Sequence, residues 1–523
     1  MSEKRVPVVA APETGAGPTA RDPRRWLILA TVSLAQLMIV LDLTVVNIAL
    51  PSAQRSLHFA AVDRQWVVTA YALAFGSLLL LGGRLADLFG RKITFMVGLA
   101  GFAAASAVGG AASGFAMLVI ARACQGGFAA VMAPSALSVL TNTFQDPRDR
   151  GKAFGVFGAI AGAGGAVGLL LGGALTQYLS WRWTLYINLL FAGAAFAGAA
   201  LLLKRQSARR GQRLDLPGAM LVGGAMFCLV YGFSNAGTHN WHTPSTYGFL
   251  AAGAAALAAF AAWQARAKAP LLPPRVVADR NRGGAYLAML FAGAGMFGIF
   301  LFLTYYLQTT LGYSPIVTGL AFLPMVAALM VSATAGQIVL MPRTGPKPLV
   351  GAGMLIAAAG MVWLTRIGIH SGYASAILGP LLTVSLGLGQ VLAPVVNTGT
   401  YGVKASDAGV ASATVNVSQQ LGGSIGIALL NTMVASATTS YLSSHLNPAT
   451  ITAGHPSAEL VRQSLVHGYT VGFWWTAGIF AAGAMVCGTL LRRGPLYPRQ
   501  ARTATTATVT EPTLAGDMAT RHS

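Results

Sequence analysis

The sequence predicts an all-α protein that crosses a membrane many times. Of its 523 residues, 54% are hydrophobic and only 9% are charged, whereas a soluble globular chain carries about 25% charged residues. Several apolar runs exceed the roughly 18 residues that predict a membrane-spanning helix. The basic residues lie between these runs and in the tails, so the net charge of +21 does not indicate a nucleic-acid partner. We expect a protein embedded in a lipid bilayer and not an enzyme.

Fourteen apolar segments are predicted to be helical. They are 26–50, 66–83, 93–111, 115–140, 152–178, 183–203, 214–235, 246–264, 284–307, 315–340, 347–367, 375–400, 407–435 and 469–491. Many contain glycine, which is more frequent in membrane helices than in soluble ones.

The distribution of Lys and Arg predicts the orientation of these helices. If the N-terminus is cytoplasmic, the tails and inner loops hold 29 of the 35 Lys and Arg residues and the outer loops hold five. Positive residues concentrate on the cytoplasmic side of membrane proteins. We therefore expect an even number of spans in the plasma membrane, with both termini inside the cell.

Two basic linkers divide the chain into two six-helix bundles with two helices inserted between them. The basic segment 204–213 precedes the seventh and eighth helices, and a second, 266–282, follows them. Two repeated bundles are a common plan among transporters. The predicted parts are an N-terminal tail 1–25, a first bundle 26–203, an inserted region 204–282, a second bundle 283–491 with a long outer loop 436–468, and a C-terminal tail 492–523.

Asp42 is the residue on which the functional prediction depends. It lies in the first predicted helix and is the only carboxylate in the interior of a predicted apolar segment, away from the segment's ends. An ionised carboxylate in hydrocarbon costs at least about 2.5–3.5 kcal/mol. Its neighbours on the same helix face, such as Met38, Val45 and Val46, are apolar. Asp42 must therefore find a partner on another helix, face water, or be protonated part of the time.

Arg122 is the second charge within the membrane. A rise of 1.5 Å per residue places it about 10 Å below the outer start of the fourth helix and places Asp42 about 13 Å below the outer end of the first. We therefore expect the two charges to face a common cavity and to interact directly or through water. Gln125, one turn away, shares the face of Arg122. A structural ion pair is the alternative, although buried pairs stabilise poorly compared with apolar packing.

Two further features suggest moving parts. The inner loop 83–92, GRLADLFGRK, contains the acidic residue Asp87, which the orientation of the protein in the membrane does not explain. Asp87 precedes Arg91 by four residues, the spacing of an ion pair on a helix. Gly83, Asp87, Gly90 and Arg91 are therefore candidates for a gate. The fifth helix is rich in glycine at four-residue spacing, and tight packing and a bending hinge are equally good explanations. Its candidate hinge or packing positions are Gly164, Gly168, Gly172 and Gly173.

These segments resemble motifs of a known family. Segment 83–92 is similar to the cytoplasmic loop signature of the major facilitator superfamily, and segment 118–126, LVIARACQG, resembles its fourth-helix motif associated with proton coupling. Segment 41–51, LDLTVVNIALP, resembles the first-helix motif of its fourteen-helix drug:proton antiporters, the QacA/EmrB type. Further matches are 181–188 (WRWTLYIN), 215–218 (DLPG), 308–315 (QTTLGYSP) and 420–423 (QLGG). The fifth helix departs from the antiporter pattern because Leu169, not Pro, follows Gly168.

The resemblance implies alternating access of two bundles around a central cavity. Asp87 and Arg91 would latch the inner gate, and Asp42 would carry the proton while Arg122 modulates its affinity. Because proton and substrate binding would disfavour one another, the inward proton gradient would drive the substrate out. The expected function is proton-coupled efflux of drugs, antibiotics or amphipathic metabolites by a monomeric unit. A proton-coupled importer or facilitator of a small organic solute, or a non-transporting receptor, remain alternatives.

The candidates for the substrate cavity are uncharged polar and aromatic residues in the membrane segments. Aromatic walls with scattered amides suit a bulky amphipathic ligand, although plain core packing explains such residues about as well. The candidates are Gln36, Asn188, Phe297, Tyr305, Gln308, Gln390, Asn397, Asn416 and Gln419. We expect no metal or cofactor, because the three cysteines have no metal-ligand spacing and no nucleotide-binding loop is present.

Overall fold

The computed structural model describes residues 24–61, 63–144, 146–204, 215–239, 241–267, 270–403, 407–446 and 457–494. Within these ranges lie long helices that we number α1 to α14. They are α1 Arg25–Leu57, α2 Arg64–Phe89, α3 Arg91–Gly110, α4 Phe115–Thr143, α5 Pro147–Tyr178, α6 Trp183–Leu202, α7 Leu216–His239, α8 Pro244–Arg266, α9 Arg280–Tyr305, α10 Pro315–Ala335, α11 Pro346–Leu364, α12 Leu378–Thr400, α13 Ala408–Ser444 and α14 Ala458–Leu490.

Short π-helical turns extend some of these helices. The turn Tyr306–Thr310 continues α9, Gly336–Leu340 and the helical turn Met341–Thr344 continue α10, and Tyr373–Ile377 precedes α12. A further short helix, Pro274–Val277, lies between α8 and α9. The described residues contain no β-strand, so the predicted all-α class is confirmed.

Twelve of the helices are long and apolar enough to cross a membrane. The other two long helices are α2 and α5, which both contain residues whose side chains lie outside the described set. The predicted multi-span architecture is therefore confirmed, with twelve candidate spans among the described residues where the sequence predicts fourteen.

Each half of the protein is a bundle built by close helix packing. In the first half α1 packs on α5 and α6, while α4 lies between α2 and α3; in the second half α13 and α14 pack on α9, and α11 packs on α12. Small residues permit the approach: an added Cβ at Gly126 of α4 would lie 2.2 Å from the carbonyl oxygen of Tyr71 on α2. Such contacts let backbones approach where lipid offers no hydrophobic driving force.

The two halves meet along two helix pairs. These pairs are α2 with α13 and α5 with α10, and α7 packs against both α2 and α13 while α8 packs on α7. The hydroxyl of Thr432 on α13 donates to the backbone carbonyl of Phe233 on α7 at 2.9 Å. The hairpin of α7 and α8 therefore lies beside the seam between the halves.

Asp215 fastens this hairpin at the residue before α7. Its carboxylate accepts hydrogen bonds from Trp263 Nε1 and Gln264 Nε2 of α8, each at 2.7 Å, and from the backbone N–H of Gly218 at 2.9 Å. Burial alone would raise the pKa of this carboxyl, but the hydrogen bonds outweigh burial and the pKa is lowered from its ordinary value of 3.8. The ionised form of Asp215 therefore stabilises the packed hairpin.

Polar contacts between the halves cluster at the end where α1 finishes and α2 begins, which is the predicted outer end. The hydroxyl of Tyr305 donates to Gln54 Oε1 at 2.6 Å, and Gln308 Nε2 donates to the carbonyl of Ile48 at 3.0 Å. The buried guanidinium of Arg64 donates from Nε to Asn431 Oδ1 at 3.2 Å and lies 4.2 Å from the centre of the Tyr305 ring. The halves are therefore closed together at this end.

At the opposite end, the segment 270–277 contacts both halves. Arg84 of α2 donates to the carbonyl of Pro270 at 3.3 Å. Arg275 forms a two-point ion pair with Asp407, at 2.8 and 3.1 Å, beside the start of α13. The segment after α8 therefore bridges the two halves at the predicted inner end.

Helices extend into both ends of the predicted outer loop 436–468, because α13 continues to Ser444 and α14 begins at Ala458. The polar residues of this stretch tolerate a helix since their hydroxyls bond to the helix's own carbonyls, as Thr438 does with Val434 at 2.8 Å. The ring of Tyr441 also packs against that of His467 on α14, with centroids 4.8 Å apart. Residues 447–456 of the predicted loop lie outside the described residues.

Candidate functional site

Asp42 faces the interior of the first half and not the seam between the halves. Gln36, Asn47 and Gln54 fall on one face of α1, and Gln54 contacts the second half. Asp42 lies about 120° around the helix from Gln36, given 100° per residue. It therefore points toward α4 and α6, where its hydrogen-bond partners lie.

Asp42 and Arg122 form a direct, buried ion pair. Arg122 Nη1 donates to Asp42 Oδ2 at 2.5 Å, and the exposed fractions of the two side chains are 1% for Arg122 and 0% for Asp42. The sequence places the two charges at the same depth; the structure places them in contact. It does so inside one bundle, where both side chains are fully buried.

Two amides complete the coordination of the carboxylate. Gln125 Nε2 donates to Asp42 Oδ1 at 3.1 Å, and Asn188 Nδ2 of α6 donates to the same oxygen at 2.8 Å. Gln125 also donates to Ser106 Oγ of α3 at 2.7 Å, and its Oε1 accepts from Arg122 at 2.9 Å. Three donors from two helices thus converge on one carboxylate.

Arg122 has partners besides Asp42. Its Nε donates to the carbonyl of Val67 on α2 at 3.1 Å, and its guanidinium carbon lies 4.5 Å from the centre of the Tyr71 ring. The Tyr71 hydroxyl is buried and has no hydrogen-bond partner among the described residues. Apart from the carboxylate, Arg122 therefore contacts a backbone carbonyl, the amide oxygen of Gln125 and an aromatic face.

Asn188, predicted as a cavity residue, lies in this cluster instead. Its exposed fraction is 0%, because the α6 face that carries it turns toward α1 and α3. Ser106 and Tyr71 belong to the cluster but were not predicted. No sequence signal marks a serine in an apolar helix, whereas Tyr71 carries a polar atom in a membrane segment and could have been noticed on that ground.

The inner loop turns sharply at Gly90, between α2 and α3. Gly90 adopts φ 87°, a conformation that favours glycine over residues with a Cβ. Gly83 faces α4, where an added Cβ would lie 3.8 Å from Pro134. Arg91 is the first residue of α3. The side chain of Asp87 lies outside the described residues, so its pairing with Arg91 stays a prediction.

The glycines of α5 form a contact face. An added Cβ would lie 3.1 Å from a Leu37 atom at Gly164, 1.9 Å from Thr44 Oγ1 at Gly168 and 2.9 Å from Val45 Cα at Gly172, all on α1. At Gly173 it would lie 2.6 Å from the Cα of Ile316 at the start of α10. Gly173 therefore packs across the seam between the halves, where a change of conformation would be felt.

The remaining cavity candidates fall into two groups. Several are engaged in packing: Phe297 is buried and faces Gly423, Tyr305 and Gln308 contact the first half at the predicted outer end, and Gln390 donates to Ser332 at 2.7 Å. Of these four, Phe297 and Tyr305 are buried, whereas Gln308 and Gln390 are half-buried, and Gln390 Oε1 has no hydrogen-bond partner among the described residues. The other candidates, which are half-buried or exposed, are Gln36, Asn397, Asn416 and Gln419.

Two helical halves that meet along a seam, with a charge pair buried in one of them, define a multi-span membrane transporter. The chain belongs to the Major Facilitator Superfamily, which it matches over residues 32–427. The family predicted from the motifs is therefore confirmed.

The relatives of the chain are named for resistance and export. It is 46% identical over 487 residues to the puromycin resistance protein pur8 of Streptomyces alboniger, covering 92% of this chain and 95% of the relative. It is 39% identical over 439 residues to the cephamycin export protein CmcT of Amycolatopsis lactamdurans, covering 83% and 90%. These relatives agree with the predicted drug-exporting branch of the superfamily.

Solved structures resemble the chain in fold. A crystal structure of an auto-inhibited peptide transporter of the POT family matches with a TM-score of 0.62 at 15% identity, covering 91% of this chain and all of that one (100%). A bacterial homologue of the human lysosomal transporter Spinster, in an inward-facing and occupied conformation, matches with a TM-score of 0.61 at 14% identity, covering 89% and 96%. At these identities the likeness concerns the fold alone.

Proposed function

We propose that the protein is a proton-coupled exporter of antibiotics or similar amphipathic compounds. The observation that carries this proposal is the Asp42–Arg122 pair, at 2.5 Å and fully buried within the first half. An ionisable carboxylate in a membrane helix is costly and generally functional. The relatives named for puromycin resistance and cephamycin export support the direction of transport.

We assign the described conformation to the inward-facing part of the transport cycle, because it is closed at the predicted outer end. The contacts of Gln54 with Tyr305 and of Ile48 with Gln308 close the predicted outer end. Export requires the substrate to enter from the inner side, and a protein closed outside is ready to receive it there. This assignment uses the orientation given by the basic residues, with both termini in the cytoplasm and the protein in the plasma membrane.

Protonation of Asp42 supplies the switch. In the charged state the carboxylate holds α1 to α4 and α6 through Arg122, Gln125 and Asn188. Proton uptake from the outer side weakens the ion pair and loosens these helices from one another. Release of the proton to the inner side restores the pair. Because substrate and proton favour different states, each disfavours the binding of the other.

Other elements complete the proposal. We assign spanning positions to α2 and α5 as well, which gives the fourteen spans of a drug:proton antiporter and places the α7–α8 hairpin beside the seam. Asp87 and Arg91 form the latch that closes the inner end when the outer end opens. Gln36 faces the second half from α1 and lines the substrate cavity. The transport unit is a monomer, since each chain holds both halves and the proton site.

A resistance panel tests the proposed function. A sensitive bacterial host expressing the protein is exposed to puromycin, a cephamycin, lincomycin and a set of unrelated toxic compounds. Expression should raise the inhibitory concentration of at least one compound severalfold, and cells should accumulate less of it. An equal amount of Asp42→Asn protein in the membrane serves as the control. Unchanged sensitivity to every compound, or increased accumulation, would argue for an importer or a non-transporting protein.

A further inference from the structure

The side chain of Asn188 is only half satisfied in the Asp42 cluster. Its Nδ2 donates to Asp42 Oδ1 at 2.8 Å and lies 3.4 Å from Ser106 Oγ. Its Oδ1 is buried and has no hydrogen-bond partner within the part of the chain that the structure describes. A buried acceptor without a partner is unfavourable, so the charged state of Asp42 leaves this amide with an unused oxygen.

The second amide of the cluster is fixed in its orientation, and Asn188 is not. Gln125 Oε1 accepts from Arg122 Nη1 at 2.9 Å, while its Nε2 donates to Asp42 and to Ser106. Reversal of the Gln125 amide would turn its NH2 group toward the guanidinium, where only an acceptor fits. Reversal of the Asn188 amide breaks no bond to Arg122. Asn188 can therefore respond to a change at Asp42 that Gln125 cannot follow.

The orientation that suits Asn188 depends on the proton of Asp42. A carboxylate oxygen only accepts hydrogen bonds, so it favours the NH2 group of the amide. When a proton binds to Oδ1, that oxygen carries an O–H donor. A half-turn of the amide about its Cβ–Cγ bond then brings Asn188 Oδ1 to the place that Nδ2 occupied. The unused acceptor then accepts from the O–H of Asp42, while the NH2 group gives up its contacts with Asp42 and Ser106 and moves to the place that Oδ1 occupied. The proton stays on Asp42.

We propose that Asn188 is a positioning residue for proton exchange, whose amide reverses with the protonation state of Asp42 and so stabilises both states. The inference rests on the proposed proton coupling and reassigns Asn188 from the substrate cavity to the proton site. Among the described residues, the charged or titratable groups that face Asp42 are Arg122 on α4 and Tyr71 on α2. Asn188 and Gln125 are the neutral side chains that bond to the carboxylate directly.

Infrared difference spectroscopy tests the proposal without transport. The carbonyl stretch of a protonated carboxyl is recorded as the pH of the purified protein is varied, and the part lost in Asp42→Asn belongs to Asp42. Asn188→Val removes both hydrogen-bonding functions. Charged Asp42 then loses a hydrogen bond to an ionised group, and protonated Asp42 loses a hydrogen bond between neutral groups. The bond lost by the charged form is about twice as strong. The pH midpoint of the band should therefore rise by roughly half a unit to one unit.

Asn188→Thr is the matched control, because threonine has the shape of valine but keeps a hydroxyl that donates or accepts. Its midpoint should stay within roughly 0.3 unit of the wild type, since both states keep a partner. If the valine variant does not fold, the pair Asn188→Ala and Asn188→Ser makes the same comparison. A role limited to packing predicts no difference between the members of either pair.

The outcomes separate the two proposals. A midpoint that rises in the valine variant and is restored in the threonine variant supports the role of Asn188. Equal midpoints in all three proteins overturn that role and leave the proposed transport function standing. If the wild type shows no band that depends on Asp42, while it still exports a compound, proton exchange at Asp42 is wrong and the role of Asn188 is wrong with it.

Discussion

The substitution Gly173→Ala should open the predicted outer end. An added Cβ would lie 2.6 Å from the Cα of Ile316 and 2.7 Å from the carbonyl oxygen of Pro315, whereas ordinary contacts lie at 3.4–4 Å. Both are backbone atoms, so no side chain can move aside and α5 must separate from α10 by about 1 Å. Overpacking of this kind costs roughly 1–3 kcal/mol, and 1.4 kcal/mol is a factor of ten. The ratio of outer-closed to outer-open protein should fall roughly 5- to 150-fold.

Distances between spin labels measure this shift. Labels at the exposed positions Tyr178 and Val317, in a background without the native cysteines, report the separation of the outer ends of α5 and α10. In Gly173→Ala the longer distances should gain population. Gly165→Ala is the control, because an added Cβ there meets nothing within 4 Å. The reasoning is refuted if Gly173→Ala keeps the wild-type distances or if Gly165→Ala lengthens them equally.

Three further predictions concern single contacts. Tyr305→Phe removes the hydroxyl bonded to Gln54 and should open the outer end by a smaller amount, about 1 kcal/mol, visible with the same labels. Asp215→Asn should lower the free energy of unfolding at neutral pH by about 1–3 kcal/mol, as thermal unfolding in detergent would show. Because the pKa of Asp215 is lowered in the folded protein, the ionised carboxylate stabilises the fold above about pH 4, and this stabilisation is lost as the pH falls through the pKa of the folded state. The Asp215→Asn variant should not show this acid-dependent loss of stability. The Gly168→Ala variant should unfold at a temperature several degrees below that of the Gly165→Ala variant, since only the Cβ added at position 168 would overlap the hydroxyl of Thr44 on α1.

The charge pair could be predicted because depth in a membrane follows from helix direction and rise. Asp42 and Arg122 lie on helices that run in opposite directions, and counting from the predicted outer surface brings them level. Only the packed structure reveals that the pair is sealed within one bundle. The rotation of each helix about its axis depends on neighbouring side chains, and a depth argument contains no information about it.

The substrate candidates were harder to predict because residue type does not determine which way a side chain faces. Asn188 is an amide in a membrane helix, as Asn416 is, but the former is buried against Asp42 and the latter is exposed on α13. The same limit applies to Tyr305, whose hydroxyl bonds to Gln54 and whose ring lies against Arg64 at the predicted outer end. Polarity alone does not mark where a helix ends, as Thr438 shows, because its hydroxyl bonds to a carbonyl of its own helix.

Proton-driven exchange in reconstituted vesicles tests the central claim most directly. Vesicles with an acidic lumen are given an external compound that the resistance panel has identified, and its uptake is recorded together with the luminal pH. Wild-type protein should take up the compound against its gradient while the lumen becomes more alkaline. Asp42→Asn protein, inserted in equal amount, should show neither movement beyond passive leak, because its amide cannot carry the proton. Uptake and alkalinisation by the Asn variant at the wild-type rate would contradict the account.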